Sequence, residues 1–137
     1  MKRFLSFLTL ALTLFTAMAD DDPRAAAAIS FPETSHDFGV ILEDNGPVSY
    51  EFHFTNDGTA PLVILSAKAQ CGCTRPQYPS RPVNPGKSGE IKVTFIPATY
   101  RGEFTKEVTV RTNDPANKRI TLKITGVVVP GSQSDSQ

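Results

Sequence analysis

Residues 48–55, Val-Ser-Tyr-Glu-Phe-His-Phe-Thr, put Val48, Tyr50, Phe52 and Phe54 on one side and Ser49, Glu51, His53 and Thr55 on the other. Side chains of an extended chain alternate between two faces, so this run predicts a strand with one buried and one wetted face. Other segments repeat the device. Ile91, Val93 and Phe95 face inward in Glu90–Phe95. Phe104, Val108 and Val110 continue it, with Lys106 on the same side near a rim, and Ile120, Leu122, Ile124 and Val128 form the inner stripe of a last strand. Ile29–Phe31 and His36–Val40 read as one first strand broken at Pro32, and the apolar run Leu62–Leu65 reads as a central strand. Asn56–Thr59, Pro85–Gly89 and Asn113–Pro115 carry turn chemistry between the runs. All 11 prolines fall at run boundaries or in loops, where a missing N–H does no harm. No segment shows a sustained helical stripe. The expected fold is an all-β, immunoglobulin-like β-sandwich of about seven antiparallel strands, with little or no helix.

Thr74–Pro85 differs from the rest, with Pro76, Pro79, Pro82 and Pro85 in one short stretch. It is expected to run extended, without ladder hydrogen bonds, as a crossing between the sheets. Arg75, Tyr78 and Arg81 on it are candidate partner-binding residues, because Tyr and Arg are favoured at contact hot spots. The competing reading is a plain connecting loop.

The ends speak of export. Lys2 and Arg3 precede the largely apolar run Phe4–Phe15, and Ala17-Met18-Ala19 offers small residues for processing. This is the layout of a signal peptide over residues 1–19, cleaved near Ala19, and it is shorter than the roughly 20 apolar residues of a spanning helix. Residues 20–28 are expected to be a disordered lead, residues 29–130 the folded domain and residues 131–137 a disordered tail. Cleavage removes Lys2 and Arg3 from the 14 basic residues and none of the 14 acidic ones, leaving a mature charge of about −2. No basic excess remains to neutralise phosphates, so nucleic acid is not an expected partner. The expected location is secreted: periplasm or cell surface, with no transmembrane segment in the mature chain.

The only two cysteines, Cys71 and Cys73, flank Gly72. In an extended strand, residues two apart lie about 6.6 Å from one another, whereas disulfides prefer a Cα separation of about 5.5–6 Å. A bond between them therefore asks the backbone to tighten, and Gly72 is the residue expected to allow it. As a staple the bond is poor, because closing so small a loop yields only roughly 1.6 kcal/mol in the chain-entropy account. Cys71 and Cys73 are accordingly metal or redox candidates: two thiolates in a tight loop suit a soft ion such as Cu(I), and a thiol pair can exchange disulfides. A simple disulfide, buried packing and intermolecular bonding stand beside these. A four-ligand zinc site would have to recruit His36 and His53, which read more simply as strand residues.

The chain carries no Gly-Xaa-Ser-Xaa-Gly, phosphate loop, His-Glu-Xaa-Xaa-His or dinucleotide fingerprint, so no catalytic residues are assigned. The segments "FPETSHDFGVI", "FHFTNDGTAPLVI", "CGCTRP", "PGKSGEIKVTF" and "VRTND…ITLKITGVVVP", in that order, resemble the bacterial secreted family called domain of unknown function 1573. That family is related to Hydin-type immunoglobulin-like domains. The likeness spans about residues 29–130. It implies a β-sandwich of the bacterial cell envelope and no established activity. The expected function is that of an exported, non-enzymatic binding or adaptor module. It would need no cofactor, and would meet an unknown protein or envelope component through a sheet edge or the 74–85 segment. The alternative, from a different class, is a Cu(I)-binding or thiol-redox protein using Cys71 and Cys73.

Overall fold

The computed structural model describes residues 23–98 and 100–131. The expected signal peptide lies outside the described residues, as do residues 20–22 of the lead and 132–137 of the tail. Among the described residues eight strands form: β1 (Ile29–Ser30), β2 (Ser35–Leu42), β3 (Val48–Asn56), β4 (Ile64–Ala69), β5 (Thr74–Gln77), β6 (Ser88–Phe95), β7 (Gly102–Thr112) and β8 (Arg119–Val129). A 3-10 turn, Glu43–Asn45, joins β2 to β3. One sheet has the order β1-β3-β6-β5 and the other β2-β8-β7-β4. Every pairing is antiparallel except β2 with β8, which run parallel.

The alternating runs explain the layers. Phe52 and Phe54 of β3 and Ile91, Val93 and Phe95 of β6 turn inward from the first sheet. Phe104, Val108 and Val110 of β7 meet them from the second, with Leu122, Ile124 and Val128 of β8. All are almost wholly buried, and Phe95 stacks on Phe104 across the sandwich with ring centroids 4.0 Å apart. Lys106, on the inner side of β7 at the rim, places its ammonium 4.9 Å from the centre of the Tyr100 ring. Aromatic rings also lie over glycines of the paired strand, Phe54 opposite Gly89 and Phe104 opposite Gly126. A Cβ on Gly126 would come within 2.8 Å of the Phe104 ring and 3.0 Å of the Gly39 carbonyl oxygen. Gly126→Ala is therefore expected to destabilise the domain by about 2 kcal/mol, the scale of overpacking in a tight core. A urea midpoint equal to the parent's would contradict it.

Pro32 does more than break a strand. Ile29–Ser30 pairs with β3 in the first sheet, whereas Ser35–Leu42 pairs with β8 in the second, so the chain changes layers at the residue that has no N–H. Ala26–Ala28, expected within the lead, are instead held. The amides of Asp57 and Thr59 donate to the carbonyls of Ala28 and Ala26, and Ala27 is buried.

Two local expectations are corrected. Leu62–Leu65 is not a central strand: Leu62 is buried against Val83 through an isolated bridge, and β4 begins at Ile64 on the edge of its sheet. The ladder slips between Ile64 and Ser66, leaving Leu65 57% exposed. Thr74–Gln77, expected to lack ladder bonds, forms edge strand β5 against β6, an edge being the one sheet position that tolerates Pro76. The crossing between sheets comes earlier, at residues 70–73.

Candidate functional site

β4 ends on the edge of the second sheet and β5 begins on the edge of the first, so the chain must cross between layers within residues 70–73. Backbone bonds fix the crossing. The Thr74 amide donates to the Cys71 carbonyl at 3.3 Å, closing a tight turn, and the Ile96 amide donates to the Cys73 carbonyl at 2.8 Å, docking the turn on the end of β6. The turn brings the Cα atoms of Cys71 and Cys73 to 5.3 Å, and the two sulfurs are bonded. Gly72 is not what permits this. It is not among the glycines with positive φ, and a Cβ built on it meets nothing within 4 Å. The turn's own hydrogen bond supplies the tightening that the sequence had attributed to glycine.

Both sulfurs are half-buried, and Cys73 packs against the core. Thr74, 3% exposed, places its hydroxyl oxygen 3.8 Å from each Sγ. Sequence reasoning missed this residue. The only signal was its place directly after the pair, and its inward position becomes visible only once β5 pairs with β6.

The histidines lie elsewhere. His36 stacks on Tyr50 with ring centroids 3.7 Å apart, tying β2 to β3 across the layers, and meets Phe38 edge-on. Tyr50 donates to Glu33 at 2.8 Å, and that bond, aided by partial burial and the Glu33 charge, holds the phenol above its ordinary range. His53 stands on the exposed face of the first sheet, its Nδ1 3.6 Å from Glu90 Oε2. With Glu51 these two form the one group of three described residues whose ligand atoms come within 4.8 Å of one another. All three are exposed, and Lys92 lies opposite Glu51 in the ladder, placing a positive charge beside the group. Neither cysteine belongs to it. While bonded to one another, Cys71 and Cys73 have no thiolate to offer copper.

Arg75, Tyr78 and Arg81 are exposed along β5 and the segment that follows, and among the described residues no hydrogen bond or ion pair joins them. The backbone edge beside them is blunted. Because Cys73 directs its carbonyl at β6, alternation turns Arg75 and Gln77 toward β6 and Thr74 and Pro76 outward. Outward, the Thr74 N–H is already taken by Cys71, and Pro76 has none. A partner strand would find the outward carbonyls of Thr74 and Pro76 but no donor there, so strand addition at this edge is weakened and side chains carry more of any recognition.

Comparison with known proteins agrees with the architecture. The family profile described as "Protein of unknown function (DUF1573)" matches residues 29–128. A protein of unknown function from Porphyromonas gingivalis W83 superposes with a TM-score of 0.67 at 18% identity, covering 83% of this chain and 51% of that one. The chain thus spans about half the length of that relative. The Vibrio cholerae VesB protease matches with a TM-score of 0.58 at 15% identity, over 74% of this chain and 32% of its own. An ASH/PapD-like domain of human CEP192 matches with a TM-score of 0.57 at 13% identity, over 96% of this chain and 99% of its own. At these identities the likeness is one of fold alone. No curated protein matches the chain.

Proposed function

The chain belongs to the DUF1573 family, and from that premise we propose that it works by contact, as an exported, non-enzymatic binding or adaptor module of the bacterial cell envelope. What supports this reading is an immunoglobulin-like sandwich of PapD-like build, together with a sequence that lacks the motifs of a hydrolase or nucleotide enzyme. Fold alone never fixes an activity, so the weight rests on the surface. The observation that carries the proposal is the segment 75–81, which displays Arg75, Tyr78 and Arg81 to solvent beside a backbone edge that lacks donors for strand addition. The partner is a protein or other envelope component, met after removal of the signal peptide near Ala19, in the periplasm or at the cell surface. No cofactor enters the reading.

The test is a photo-crosslinking residue placed at Tyr78 in the native cell, with a second placed at Thr121, which is exposed on β8. A discrete adduct is expected from position 78 and none from position 121. Once the adduct's partner is purified, the combined Arg75→Ala, Tyr78→Ala, Arg81→Ala protein should bind it at least about tenfold more weakly, as expected when hot-spot side chains are removed. No adduct at position 78, or turnover of a substrate abolished by a single substitution, would remove the reading.

A further inference from the structure

The bond between Cys71 and Cys73 is not needed to hold its own turn. Thr74 N–H to Cys71 C=O closes the turn, Ile96 N–H to Cys73 C=O docks it, and the loop between the sulfurs is too short to restrain the unfolded chain much. Nor does the position of the pair suit inert packing. Both sulfurs are only half-buried, Gly72 between them is exposed, and the space where a Gly72 side chain would stand is open. The third observation is Thr74. Its buried hydroxyl is equidistant from the two sulfurs, and no other partner for that oxygen occurs among the described residues. A hydroxyl set against a disulfide makes only a weak contact, because bonded sulfur is a poor acceptor. Against a thiolate the same hydroxyl makes a charge-assisted hydrogen bond, which is much stronger.

We infer that Cys71–Cys73 is a thiol–disulfide exchange site that accepts electrons from a dithiol, with Thr74 the positioning residue that receives the departing sulfur. A thiolate of the dithiol attacks one sulfur of the pair. A mixed disulfide forms, the bond between Cys71 and Cys73 breaks, and the freed sulfur leaves as a thiolate onto the Thr74 hydroxyl before taking a proton from solvent. The second thiol of the donor, deprotonated, then attacks the mixed disulfide. The donor departs as its own disulfide, and Cys71 and Cys73 remain as thiols. Two electrons pass from the donor to the protein, and the donor's two protons end on the protein thiols. Because Thr74 Oγ1 is equally distant from both sulfurs, it serves whichever one leaves. A lowered leaving-group basicity speeds the step and favours the reduced state. This site is independent of the contact surface proposed above.

The test uses the purified full chain in graded mixtures of reduced and oxidised dithiothreitol and of reduced and oxidised glutathione, read by intact mass and by thiol alkylation. The pair is expected to reduce reversibly while the circular-dichroism spectrum stays native. Once reduced, the thiols should alkylate with iodoacetamide at neutral pH about tenfold faster than in Thr74→Val, a factor typical of one charge-assisted bond. Thr74→Ser, which keeps the hydroxyl, should restore the parent rate within about twofold, and it separates the chemistry from any loss of stability in the valine variant. A pair that stays oxidised in excess dithiothreitol at native fold overturns the exchange site. Equal alkylation rates and pH profiles for the parent and Thr74→Val overturn the role of Thr74.

Discussion

Asn56→Ala is expected to lower the stability of the domain by about 4 kcal/mol, the largest loss from any single polar side chain described here. Asn56 is wholly buried at the end of β3, where the sequence shows only the first residue of a turn. Its Nδ2 donates to the carbonyls of Ala60 at 2.8 Å and Val83 at 2.9 Å. Its Oδ1 accepts from the amides of Ala28 at 3.2 Å and Gly58 at 3.0 Å. One side chain thus closes its own turn, fixes the segment entering β1 and anchors the strand-like stretch at Val83. Alanine leaves the amides of Ala28 and Gly58 and the carbonyl of Ala60 without this partner, whereas the Val83 carbonyl keeps the Leu62 amide, and an unmet buried polar group costs about 1–3 kcal/mol. Some of that is recovered where water reaches Ala28 and Gly58. Against a typical total of about 5–15 kcal/mol, the expected loss removes from about a quarter to most of the domain's stability. Urea unfolding followed by circular dichroism checks this, and a loss below about 1 kcal/mol would show that the network is dispensable.

Asn56 also marks the limit of what alternation can reveal. Period-two patterning located β3, β6, β7 and β8, because those strands each have one dry and one wet face and the pattern records that difference directly. It failed at Leu62–Leu65. A continuous apolar run there reflects two separate demands: burial of Leu62 beneath the Val83 stretch, and entry of Ile64 into an edge strand whose slip exposes Leu65. It also gave no sign that β2 would run parallel to β8. That choice follows from the layer change at Pro32, which carries the chain to the far sheet without reversing its direction. The prolines were read correctly as boundaries but too strictly as barriers. At Pro76 the missing N–H points away from β6, so pairing survives and only the outer edge loses its donor.

The candidate site was half legible. Two cysteines one residue apart name themselves in any sequence, and Arg75, Tyr78 and Arg81 stand out on a proline-rich stretch. That the pair forms the crossing between two edge strands was not legible, because it depends on which sheet each neighbouring strand joins. The hydroxyl of Thr74 was hidden for the same reason. A threonine after a cysteine is unremarkable until β5 pairs with β6 and the side chain turns inward beneath both sulfurs.

The second large effect is expected at Asp114, and it carries a pH signature. Asp114 is 1% exposed in the turn between β7 and β8. Its Oδ2 accepts from the Ile29 amide at 2.9 Å and from Asn117 Nδ2 at 3.0 Å, and its Oδ1 accepts from the Ala116 amide at 2.8 Å. Burial by itself pushes this carboxyl up. The hydrogen bonds from Asn117, Ile29 and Ala116 outweigh it and hold the carboxyl below its ordinary value of 3.8. A carboxyl depressed in the native state contributes its stability above the unfolded value and loses it as the pH falls through the native one. Parent stability should therefore be flat near neutral pH and decline as the pH drops below about 4, and Asp114 should account for part of the slope. Asp114→Asn keeps the shape but turns an N–H donor on the Ala116 or Ile29 amide, and should cost about 3 kcal/mol at pH 7. The same variant should fall less steeply in acid, so that the two stabilities converge toward pH 2. The bond to Ile29 reaches from the turn of the second sheet to β1 of the first, while Asn56 holds the adjacent amide of Ala28. Two neighbouring N–H groups at the start of the domain are thus gripped from opposite layers, and Asn56→Ala combined with Asp114→Asn should cost less than the sum of the two, because either change alone loosens the same segment. Parallel pH profiles for the parent and Asp114→Asn would refute the assignment.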